Sequence, residues 1–168
     1  MWGFRQTVLN TPWMIEGAKL QALRDRFRGV PAVVVAAGPS LDKNVHLLKD
    51  IQDRVVIVAV ETVLKKLMNM GIRPHFVTAL ERDFVVYEKH FAPAIETFGE
   101  ELREVILVSQ AVCVSLVAGR WPGQVAVVCK EGLGVDKFFL GGALNVPPVE
   151  SGASAANMAL GVALFLGA

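Results

Sequence analysis

The stretch Ala32–Leu41, AVVVAAGPSL, constrains the fold more than any other part of the chain. Ala32–Ala36 is apolar and uncharged, Gly38-Pro39 makes a turn, and helical spacing begins at Ser40. A short apolar run bounded by Gly and Pro predicts a strand buried on both faces. Ser40 is the expected N-cap of the next helix, because its hydroxyl can accept a bond from a free N–H of the first turn. Asp42 would then suit the positive helix end. Strand, tight turn and helix together form a place where backbone N–H groups meet a phosphate. A single glycine is neither G-x-G-x-x-G nor the Walker A pattern. A plain strand-to-helix connection is therefore the alternative reading.

The pattern recurs along the chain. Val55–Val60 predicts a second strand ending at Glu61-Thr62, followed by a helix carrying Leu64, Leu67 and Met68 and closed by Gly71. His75–Leu80 predicts a third strand, ending in Glu81-Arg82-Asp83. Val105–Ser109 and Val125–Cys129 predict two more. Phe84–Phe98 reads as a helix broken at Pro93, and Ala111–Ala118 as a short helix or turn. Glu131–Pro148, rich in Gly and Pro, reads as a long irregular loop or lid, and Ser151–Ser154 opens a last helix. Upstream, Thr11-Pro12 starts an amphipathic helix that runs to Arg28 and stops at Gly29.

Short apolar strands alternating with helices predict an α/β fold. Its form is a Rossmann-like, doubly wound, mostly parallel sheet with helices on both faces. Residues 1–29 form a helical extension and residues 30–168 the nucleotide-binding domain. With 168 residues, 53% of them hydrophobic, the chain can build a substantial core. A net charge of +1 gives no electrostatic case for a nucleic-acid partner. Cys113 and Cys129 stand in apolar surroundings without metal-ligand spacing. They read as buried thiols of a reducing cytoplasm, and no metal site is expected. Met1–Thr11 lacks the apolar core of a signal peptide. The uncharged stretch Ser151–Ala168 approaches the length of a short membrane span, but its Ala, Gly, Ser and Asn content favours a helix buried against the sheet.

In such a sheet, ligands bind beyond the carboxyl ends of the strands, where strand order reverses. Gly38, Pro39 and Ser40 are the candidates for a phosphate. Glu61 lies about twenty residues beyond the glycine turn, where an acid can accept from ribose hydroxyls, with Thr62 beside it; the alternative is an acid that only suits the helix dipole. Glu81 and Asp83 can hold a metal or act as a base, or simply cap the next helix. Ser109 and Gln110 follow the fourth strand. Ser151, Gly152 and Ser154 can face a second phosphate or a sugar carboxylate, or serve as an N-cap. His75 and His90 have no partner that the sequence names.

Three strings, AVVVAAGPSLDKNVHLLKD, VVIVAVETVLKKLMNMGIRPHFVTALERD and ESGASAANMALGVALFLGA, resemble the MptE-like family, named for an archaeal 6-hydroxymethylpterin pyrophosphokinase. Its bacterial members include the motility accessory factors, implicated in placing nonulosonic sugars on flagellin. The resemblance spans roughly Gly29–Ala168 and is weaker in the middle. The GPSL turn is shared with some bacterial sialyltransferases, where it lies at the CMP-sugar site. Glu61 stands where the family usually has aspartate, and His75 where it is usually acidic. The archaeal enzymes carry Asp-Leu-Asp-Gly after the third strand, suited to Mg²⁺; here the run is Leu80-Glu81-Arg82-Asp83.

The resemblance therefore implies the glycosyltransferase-like branch. That means transfer of a sialic-acid-like sugar from a CMP donor, with Gly38 and Ser40 at the donor phosphate and Glu61 and Thr62 at the ribose or base. Ser151, Gly152 and Ser154 would line the sugar side, and Glu81 or Asp83 would supply a base. A flagellin-like protein is the implied acceptor. The alternatives are diphosphoryl transfer with ATP and Mg²⁺, or a non-catalytic nucleotide-binding module. The last helix is apolar almost all round and the sequence stops where a further strand is expected. A fragment of a larger protein that self-associates is the corresponding expectation.

Overall fold

The computed structural model describes residues 2–130 and 144–168. Among them, six parallel strands pair in chain order: β1 (Ala32–Val35), β2 (Val56–Val60), β3 (Phe76–Ala79), β4 (Ile106–Gln110), β5 (Val125–Lys130) and β6 (Pro148–Val149). The expected Rossmann-like α/β fold is present. Order does not reverse among these strands, so their shared carboxyl edge, and no reversal point, gathers the candidate residues. Among the described residues β1 is the outer strand and pairs only with β2. Its residues Ala32–Val34 are half-buried, which corrects the expectation of a strand covered on both faces. β2 and β3, held between neighbours, are buried throughout.

Each face of the sheet carries its own core. Along β5, Val125, Val127 and Cys129 enter one core while Ala126 and Val128 enter the other, as strand alternation requires. α4 (Glu61–Asn69) gives Leu64 and Met68 to the first core and Val63 and Leu67 to the second, and the first also holds the helical stretch Phe84–Phe98 and α7 (Ser115–Arg120). There Phe91 and Trp121 meet edge to face, with ring centroids 6.0 Å apart. The second core is covered by α8 (Ala155–Leu166), through Met158, Val162 and Leu166. Both cysteines are buried, and the Cys129 thiol donates to the Val146 carbonyl at 3.6 Å.

Three expectations about helices are corrected. The helix beginning at Thr11 does not reach Arg28. α2 (Thr11–Glu16) stops at Gly17, where an added Cβ would lie 2.5 Å from the Val125 carbonyl. The chain presses against β5 there, and the Ala18 N–H donates to that carbonyl at 2.8 Å. A 3₁₀ turn at Leu20–Leu23 follows.

Pro93 does not break Phe84–Phe98. α5 (Phe84–Val86) runs into a π-helical turn, Tyr87–Phe91, and then into α6 (Ala92–Phe98). Proline lacks the N–H of an ordinary turn and clashes with the carbonyl four residues back. Widening the preceding turn, with Ala92 N–H bonded to the Tyr87 carbonyl, accommodates it. Finally, α3 (Pro39–Asn44) is capped by Gly38, not Ser40, with Pro39 at its first position. The predicted loop or lid at Glu131–Pro148 falls largely outside the described residues, and its end contributes β6. A helix the sequence reading passed over, α1 (Trp2–Leu9), precedes α2.

Candidate functional site

The carboxyl ends of β2, β3 and β4 carry a buried polar cluster. Glu61 follows directly on β2 as the first residue of α4 and is only 5% exposed. Its Oε2 has no hydrogen-bond partner among the described residues. Burial raises the carboxyl above its ordinary range; its own backbone opposes the shift and the nearby Glu81 charge adds to it. Ser109, at the end of β4, is buried and donates to the Gln110 carbonyl at 3.3 Å. Ser109 also bonds the Cys113 thiol, which burial pushes up to about 12, with the Glu61 and Glu81 charges contributing. A thiol so placed stays protonated and inert. Thus Glu61, Glu81, Ser109 and Cys113 share one neighbourhood.

The remaining predicted residues are spread around that neighbourhood. Gly38 has φ 175° and ψ 161°, extended backbone open to any residue, so the turn does not depend on positive φ. A Cβ there would meet only Ser40 Oγ, at 3.9 Å. Gly38, Pro39, Ser40 and Thr62 are exposed. Ser40 borders a small hollow of about 190 Å³ against β1 and Val45. Asp42 on α3 pairs with Lys66 on α4, which ties the first turn to the second.

Asp83 caps α5, accepting from the Val85 N–H at 2.9 Å. Glu81 is exposed, and its carbonyl accepts from the Val114 N–H at 3.0 Å. Ser154 caps α8, accepting from the Asn157 N–H at 3.2 Å. Ser151 is buried and donates to the Val149 carbonyl at 3.0 Å. Gly152 has φ +51° and its Cα faces the Asn157 side chain.

Two features escaped the sequence reading. Lys130, at the end of β5, donates to the Gly152 carbonyl at 2.8 Å. Its place after an apolar strand is the signal that could have found it. The second is α1 and the residue after it. Gln6 Oε1 accepts from the Ser115 N–H at 2.9 Å, and Asn10 Nδ2 donates to the Ala111 and Cys113 carbonyls at 2.9 and 2.8 Å. The N-terminal segment is thereby fastened to the loop that covers Glu61's neighbourhood. A larger hollow, about 880 Å³, lies elsewhere, at the amino ends of β4 and β5 beside Trp13 and Trp121. None of the predicted ligand residues lines it.

Residues 5–168 match the model of a family described as 6-hydroxymethylpterin diphosphokinase MptE-like. The chain belongs to this MptE-like family. Its structure is similar to that of the MAf glycosyltransferase from Magnetospirillum magneticum AMB-1, with 26% identity and a TM-score of 0.71. The similarity covers 83% of this chain and 21% of that one, so the chain corresponds to about a fifth of that protein's length. No curated protein matches the sequence. Among the described residues no helix is long and apolar enough to cross a membrane.

Proposed function

We propose that this chain is the nucleotide-binding domain of a larger glycosyltransferase-like protein. In this reading it transfers a nonulosonic, sialic-acid-like sugar from a CMP donor to a flagellin-like protein in the cytoplasm. Gly38, Pro39 and Ser40 meet the donor phosphate, Glu61, Thr62 and Ser109 the nucleoside, and Ser151, Gly152 and Ser154 the sugar. Glu81 is the better-placed candidate base, because Asp83 is engaged as a helix cap. Self-association is part of the same proposal.

The observation that carries the reading is the Glu61 carboxylate. A buried acceptor without a partner is costly, and at the carboxyl end of β2, ahead of a helix, it is matched by a ribose or base that donates to it. The likeness to a glycosyltransferase supports the reaction class.

The family description favours a second reading, diphosphoryl transfer from ATP with Mg²⁺. It would need Glu81 and Asp83 to serve the metal. A thermal-shift panel of CMP, CDP, UDP, ATP and NAD, with and without Mg²⁺, separates the two. CMP at a hundred times its dissociation constant should stabilise the chain by about 2.7 kcal/mol without metal. Strict Mg²⁺ dependence with ATP, lost in Asp83→Ala, would favour the pyrophosphokinase reading. No shift with any nucleotide at millimolar concentration would overturn both.

A further inference from the structure

On the α8 side of the carboxyl edge, Gln110 Nε2 has no hydrogen-bond partner among the described residues, although the residue is only 3% exposed. Alternation along β4 puts Gln110 on the face of Val108, and the register sets it beside Val128 of β5. Val108 and Val128 belong to the core that Met158, near the start of α8, also enters. Lys130 lies two residues beyond Val128 on that same face, and its Nζ reaches the Gly152 carbonyl in the turn before α8. The ends of β4 and β5 therefore lie side by side on the face of Gln110, and Lys130 ties the end of β5 to the turn before α8.

We propose that Gln110, Lys130 and the first turn of α8 form a subsite for an anionic oxygen of the ligand, phosphate or carboxylate. Three kinds of positive group lie along this part of the carboxyl edge. One is the orphaned amide N–H, which a native fold seldom leaves unexplained. Another is the Lys130 ammonium, which has three donors and spends one on Gly152. The last is the positive end of a twelve-residue helix, where Ser154 Oγ takes the Asn157 N–H and the N–H groups of Ala155 and Ala156 have no intrahelical acceptor. The anion chemistry stands without the nucleotide-sugar reading; only the ligand's identity rests on it.

The test compares the unchanged chain with Gln110→Met and Lys130→Met. Melting and titration calorimetry are run with inorganic phosphate, with CMP and with N-acetylneuraminate, whose charge is a carboxylate. Gln110→Met removes an unpaired buried donor without changing the volume much, so it should melt higher without ligand. It should also bind the relevant probe at least tenfold more weakly, as should Lys130→Met. Weakening confined to N-acetylneuraminate assigns a carboxylate; weakening of phosphate and CMP assigns a phosphate. Loss of N-acetylneuraminate binding in the variants, with no CMP binding in any chain, keeps the subsite and sinks the CMP reading. CMP binding in all three chains, with unchanged affinity for every probe, sinks the subsite and leaves that reading standing. No binding of any probe by the unchanged chain overturns the subsite as well.

Discussion

The Asn10 side-chain amide donates to the Cys113 carbonyl at 2.8 Å, joining residues 103 positions apart. It also holds the Ala111 carbonyl, and Asn10 is almost fully buried. The N-terminal segment therefore acts as a brace on the β4–α7 loop, beside the candidate site. Asn10→Ala leaves both carbonyls without this donor in a buried place, which costs about 2 kcal/mol. In a chain of this size the melting temperature should fall by roughly 4–8 °C. Urea or thermal unfolding checks it, and an unchanged midpoint would show that the brace contributes nothing.

Glu61 should trade stability for binding. Its carboxyl is raised in the folded state by burial. Such a group favours folding fully below its unfolded value, and the benefit is lost as pH rises through the folded value. Above the unfolded value, neutral pH included, the buried carboxyl therefore costs the fold stability. Glu61→Gln should melt higher than the unchanged chain at pH 7, and the gain should shrink as pH falls toward 4.5. A hydrogen bond to a charged group is worth about 1.5–3 kcal/mol, so nucleotide affinity should drop about ten- to a hundredfold. A variant that is less stable at pH 7 and binds normally would make Glu61 a structural acid.

His75 gives a pH dependence of opposite sign. Its Nδ1 accepts from the Ile57 N–H at 3.1 Å, which only an unprotonated nitrogen can do. Burial lowers its pKa, the Arg73 charge adds to that, and Asp53 opposes it. The stabilisation is present above the ordinary value of 6.5 and is lost as pH falls below it. Urea midpoints should decline between pH 7 and pH 5. His75→Asn, whose carbonyl can accept but does not titrate, should show a flatter profile. Equal slopes for the two chains would place the acid sensitivity elsewhere.

What the sequence disclosed is what short-range chemistry determines. The apolar runs at Val56–Val60 and Val125–Cys129 are strands because only a covered sheet accommodates them, and Ser154 caps α8 as its type suggests. What stayed hidden depends on partners far away in the chain. Helical spacing continues past Gly17, yet the chain must lie against the Val125 carbonyl and the helix ends. Pro93 looks like a breaker until the π-helical turn at Tyr87–Phe91 absorbs it. The two-residue β6 has no pattern of its own and exists by pairing with Cys129 and Lys130. At the site, Glu61 was legible because it ends an apolar strand. The unpaired state of Gln110 was not, because hydrogen-bond satisfaction is a property of the assembled fold.

The glycine turn separates folding from binding most cleanly. Gly38 is extended, and a Cβ built on it meets nothing closer than Ser40 Oγ at 3.9 Å. Neither backbone strain nor internal packing therefore requires glycine here. Gly38→Ala and Gly38→Val should keep the melting temperature, within about 0.5 kcal/mol of stability, as surface substitutions usually do. What remains to be blocked is the space outside the turn, where a phosphate would approach the backbone. If the donor phosphate binds there, the alanine should weaken CMP by a few-fold and the branched valine should weaken it much further. Melting and CMP titration of both variants give the answer. A valine variant that folds and binds like the unchanged chain would reduce the turn to a connection between β1 and α3.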